Sequence, residues 1–100
     1  MEIELRGGRL EVRLPAVLDL AAANDLRDSL QDVLNRDDAT EIILKAAGVE
    51  RVSTACVQVI LATAAAAKAA AHRLEVEAPS EQLSDAFRLL GLAADLASFA

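Results

Sequence analysis

The chain is poor in the residues that most directly announce chemistry. Its 100 residues include one cysteine, one histidine, two prolines, four glycines and two phenylalanines, with neither tryptophan nor tyrosine. A lone Cys56 has no internal partner, so no disulfide framework is expected. A lone His72 cannot build a histidine metal cluster or a catalytic triad. Phe87 and Phe99 by themselves offer no stacking platform for bases. Gly7-Gly8, Gly48 and Gly91 lack the spacing of a phosphate-cradling loop. A net charge of −6 and a pI near 4.6 argue against a nucleic-acid partner. The expectation is a protein that is not an enzyme, takes no cofactor or metal, and meets other proteins.

What the chain does have is apolar and rich in alanine, with hydrophobic residues at 54%. That length and fraction suit a single domain over residues 1–100, burying about two-thirds of its unfolded surface. The most membrane-like stretch, residues 54–71, is interrupted by Gln58, Thr63 and Lys68 and is mostly weakly apolar alanine. It reads as a buried helix with no direct membrane insertion. Met1-Glu2-Ile3-Glu4 lacks the basic and apolar regions of a signal peptide, so a cytoplasmic protein is expected.

Periodicity supplies the elements. Residues 2–6 and 9–14 alternate about Gly7-Gly8, a two-residue hairpin signal. Such a loop pairs Leu5 with Leu10 and Ile3 with Val12 on one face. On the other, Glu2 meets Arg13, and Glu4 opposite Glu11 is offset by diagonal arginines. Asp19 is a good N-cap for a helix whose apolar stripe is Leu26, Leu30, Val33 and Leu34. Residues 41–46 are the most hydrophobic strand, expected to be central and covered on both faces. A second helix is expected over residues 54–72 and a strand over 73–78. Ser80 then caps a third helix carrying Leu83, Ala86, Phe87 and Leu90, with Gly91 at its C-cap. The tail, residues 92–100, reads as a short helix or as frayed chain. The resulting class is α/β, with order β-β-α-β-α-β-α, a mixed four-stranded sheet and helices mainly on one face.

The turn Val52-Ser53-Thr54-Ala55-Cys56 is the most informative local feature. It sets two hydroxyls and a thiol at a helix start, where unpaired N–H groups and partial positive charge favour an anion. Either Ser53 or Thr54 can serve as the cap. Cys56 reads as a small buried hydrophobe rather than a redox thiol. The alanines of residues 64–71 allow close helix packing.

Leu14-Pro15-Ala16-Val17-Leu18-Asp19, the strand Ile42-Ile43-Leu44, the turn 52–57, Pro79-Ser80 and Leu89-Leu90-Gly91-Leu92 together resemble the STAS domain, named for sulfate transporters and anti-sigma factor antagonists. The resemblance spans roughly residues 9–92. In the family's regulatory branch a kinase phosphorylates the first serine of an Asp-Ser-Ser-Gly loop. It implies that Thr54 holds the phosphorylated position, with Ser53 in place of the aspartate, Ala55 in place of the second serine and Cys56 in place of glycine. Thr54 retains a phosphorylatable hydroxyl, and Ser53 is the other candidate at the switch. Asp19 matches the family's acidic residue beside the loop. The implied docking surface comprises Asp19, Ser53, Thr54, Ala55, Cys56 and Gln58. The implied partner is a kinase-fold anti-sigma factor, or a histidine kinase of a chemotaxis array. The alternative is the ATPase of a lipid-transporting ABC complex, in which related small STAS subunits carry threonine at this position. A small-ligand sensor is disfavoured, since an alanine-rich core leaves little cavity.

Overall fold

The computed structural model describes residues 1–99. Strands β1 (Glu2–Arg6) and β2 (Arg9–Arg13) form a hairpin. Gly7 and Gly8 both take positive φ, 56° and 80°, the requirement of a type I′ turn that matches strand twist. The register pairs Leu5 with Leu10, Ile3 with Val12, Glu2 with Arg13 and Glu4 with Glu11, as the alternation predicts. The like-charged pair is relieved by Arg6, which bonds Glu4 at 2.7 Å, and by Lys45, whose Nζ lies 2.8 Å from Glu11.

Two further strands complete the main sheet, β4 (Glu41–Lys45) and β6 (Arg73–Glu77), in the order β1-β2-β4-β6. The pairs β2–β4 and β4–β6 are parallel. Helix α1 (Ala23–Leu34) connects the first pair and α2 (Thr54–Ala69) the second. Both crossovers step the same way across the sheet, and a common hand therefore puts both helices on one face, where they pack together. Leu10, Val12, Ile42, Leu44 and Val76 point into that layer, meeting Leu30, Ile60, Leu83 and Phe87.

The strand 41–45 is central and buried on both faces, as expected, with the helices on one of them. Ile43 is only 6% exposed yet stands outside the core cluster, flanked in register by Glu11 and Glu75. On this open face the neighbouring strands carry alternating charged residues, and their aliphatic stems cover Ile43 in place of a second helix layer.

Helix α2 ends at Ala69, three residues before the expected His72. Ala71 adopts φ 59°, and the N–H groups of Ala71 and His72 bond the carbonyls of Lys68 and Ala67. This Schellman closure ends the helix without a glycine, which is why the sequence hid it. Helix α3 (Glu81–Leu89) closes the same way with Gly91 at φ 74°. The tail is ordered as α4 (Ala93–Phe99), which folds back to bury Leu96. Ala100 lies outside the described residues.

Candidate functional site

A second, two-stranded sheet creates the site. Strand β3 (Val17–Leu18) runs parallel to β5 (Arg51–Val52), with Leu18 level with Val52. Pro15 interrupts the path out of β2 and the chain turns onto this new ladder. The N–H groups of Glu50 and Arg51 bond the carbonyl of Ala16, and the N–H of Ser53 bonds that of Leu18 at 2.7 Å. The residues that follow the two strands, Asp19 and Ser53, are therefore set side by side.

Each of them starts a helical segment. Asp19 accepts the N–H of Ala22 at 3.0 Å through its carboxylate, capping a single 3₁₀ turn over Leu20–Ala22 that leads into α1. Ser53, with extended backbone, accepts the N–H of Cys56 at 3.2 Å through its hydroxyl and caps α2. The cap is thus Ser53. Thr54 becomes the first helical residue and is exposed, at the positive end of a 16-residue helix. Gln58, one turn on, is exposed on the same side of α2. It borders a shallow groove of about 270 Å³ between α1 and α2, with Arg27 and Gln31 opposite.

The proposed contact residues thus divide by depth. Asp19, Thr54 and Gln58 are exposed, and Ser53 and Ala55 are half-buried. Cys56 is fully buried, and its thiol donates to the carbonyl oxygen of Asp19. It lies beneath the surface, so a direct partner contact is replaced by a supporting role.

Sequence reading missed Leu20, which is 74% exposed immediately after Asp19. An apolar side chain so exposed beside capped helix starts is available for contact. The available signal was its phase. Leu20 falls off the stripe of Leu26, Leu30 and Val33, so the core has no use for it. Val17, 40% exposed, extends the apolar area along β3.

Among the described residues, no group of three or more histidine, cysteine, aspartate or glutamate side chains is placed to hold a metal ion. No described helix is long and apolar enough to cross a membrane.

The fold has known counterparts. The anti-sigma factor antagonist SpoIIAA in its unphosphorylated form superposes with a TM-score of 0.77 at 21% identity, over 93% of this chain and 82% of that one. The Bacillus cell fate determinant SpoIIAA in the phosphorylated form gives 0.73, again at 21% identity, over 93% and 85%. Mglu shares the fold with a TM-score of 0.69 at 26% identity, over 80% of this chain and 20% of that one. No curated protein sequence matches the chain significantly. A family model described as "Mlab, STAS domain" matches residues 1–98, and the chain belongs to the STAS family.

Proposed function

We propose that the chain is a cytoplasmic regulatory module of anti-sigma factor antagonist type, which works by binding a kinase-fold protein rather than by catalysis. Its docking surface is the patch of Asp19, Leu20, Ser53, Thr54, Ala55 and Gln58, with Leu20 as apolar anchor. The observation that carries this reading is the exposed Thr54 at the first position of α2, beside an exposed leucine that the core does not use. A phosphate on Thr54 would add about −1.5 to −2 charges. The helix N-terminus accommodates that charge, while the Asp19 carboxylate and the loss of an apolar, desolvated contact oppose docking. Phosphorylation therefore weakens binding in this proposal.

A second reading is a subunit docking on the ATPase of a lipid-transporting ABC assembly. It is favoured by the threonine at position 54 and by Ser53, which replaces the carboxylate of the kinase-phosphorylated loops. Both readings use the same patch. Affinity capture from the native cell with mass spectrometry separates them by the class of protein retained, and the same sample reveals any phosphate on Thr54 or Ser53. Leu20→Asp and Thr54→Glu should each weaken binding of the retained partner about tenfold or more, with unchanged circular dichroism. Variants that both bind as tightly as the parent would remove the patch from the docking surface.

A further inference from the structure

We propose that two copies of this chain associate through β1, edge to edge and antiparallel, continuing the main sheet across a two-fold axis centred on Glu4. The argument starts with the direction of backbone groups. The N–H of Leu14 bonds Lys45 in β4, and the carbonyl of Gly8 accepts from Thr40 just before β4. Even-numbered residues of β2 therefore point their backbone groups toward β4, and odd-numbered ones toward β1. Through the register, Glu2, Glu4 and Arg6 are the β1 residues that bond β2. The backbone groups of Ile3 and Leu5 point away from the sheet, free to bond another strand.

Those same two residues carry apolar side chains on the helix face that the helices fail to cover. Their cross-strand partners Leu10 and Val12 are fully buried, while Ile3 is 38% and Leu5 44% exposed. An edge strand with free backbone groups and a half-open apolar face is a template for another strand.

The sequence of β1 selects the occupant. Laid antiparallel on itself over its full length, Glu-Ile-Glu-Leu-Arg puts Ile3 opposite Leu5 of the second copy, and Leu5 opposite Ile3, as the hydrogen-bonding pairs. Glu2 then falls opposite Arg6 at both ends. The strand is thus complementary to itself in charge, in apolar contact and in backbone phase. At the centre Glu4 meets its own copy, and each carboxylate already accepts from Arg6 at 2.7 Å. The side chains of Ile3 and Leu5 from both copies form one apolar strip in the gap between the two helix layers.

Charge reversal tests the register itself. Glu2→Arg and Arg6→Glu each set two like-charged pairs across the axis and should raise the dissociation constant at least about tenfold. A mixture of the two single variants restores both opposite-charge pairs and should form a heterodimer near parental affinity. Sedimentation equilibrium and native mass spectrometry read all four samples, and circular dichroism checks that each variant is folded. The parent chain should show concentration-dependent dimer, with backbone amide exchange at Ile3 and Leu5 slowing as concentration rises. A parent that stays monomeric up to about 1 mM overturns the proposal. So does a dimer indifferent to both single variants, or single variants that the mixture fails to rescue.

Discussion

The Sγ of Cys56 donates to the backbone carbonyl oxygen of Asp19 at 3.4 Å, joining the starts of two helical segments 37 residues apart. The thiol is wholly buried, so its weak hydrogen bond and its volume both serve cohesion of the patch. Cys56→Ala should cost about 1–2 kcal/mol in a urea titration, through a small cavity and a lost donor. In the native protein Cys56 should resist thiol reagents, with labelling that follows the unfolded fraction as denaturant rises. Rapid labelling without denaturant would contradict the burial.

Neighbouring hydroxyls at the start of α2 should separate cleanly by role. Ser53 caps the helix, so Ser53→Ala should lower stability by about 1 kcal/mol. Thr54 is exposed and is not the capping group, so Thr54→Ala should change stability by less than about 0.5 kcal/mol. Thermal melts of the two variants suffice. Equal losses would mean that the cap is shared.

The two Schellman closures make opposite predictions. Ala71 holds φ 59° with a Cβ that disfavours it, so Ala71→Gly should stabilise by about 0.5–1 kcal/mol. Gly91 holds φ 74°, and a Cβ there meets no atom within 4 Å, so Gly91→Ala tests conformation alone. It should destabilise by about 1 kcal/mol in the same assay.

Two carboxylates should make a solvent-screened contribution to acid sensitivity. The hydrogen bond from Lys45 holds the Glu11 carboxyl below the ordinary glutamate range, and that from Arg36 does the same for Asp38. A depressed carboxyl contributes stability that is complete above its unfolded pKa, about 4 for both residue types, and lost as pH falls through the folded value. Urea midpoints should therefore drop from about pH 5 downward, through and below about pH 3. Glu11→Gln should flatten that limb, and Glu11→Gln with Asp38→Asn should flatten it further.

Where local pattern and tertiary demand agree, the sequence was legible. Gly7-Gly8 set the hairpin and its register because a type I′ turn and a shared apolar face leave one solution. The burial of Ile43 was legible too, although an apolar run cannot tell burial under a helix from burial under the stems of flanking charged residues. Ala71 misled because the strained closure carries no glycine. Strands β3 and β5 were invisible, being two residues each and stabilised only by their distant partner. For the site, Asp19 was legible as a cap, though it caps the 3₁₀ turn and not α1 itself, the choice between Ser53 and Thr54 stayed open, and Leu20 needed its off-stripe phase to be weighed.

The two-residue ladder between β3 and β5 decides what kind of surface the patch is. Asp19 and Leu20 come from one segment, Ser53, Thr54 and Gln58 from another, and the bonds of residues 16–18 with 50–53 set them level. No peptide cut from either segment carries the combined surface. The patch is a discontinuous epitope, present when the chain is folded and absent when that short ladder opens. Any partner that reads it reads the folded state, and a ligand bound there resists local opening by mass action.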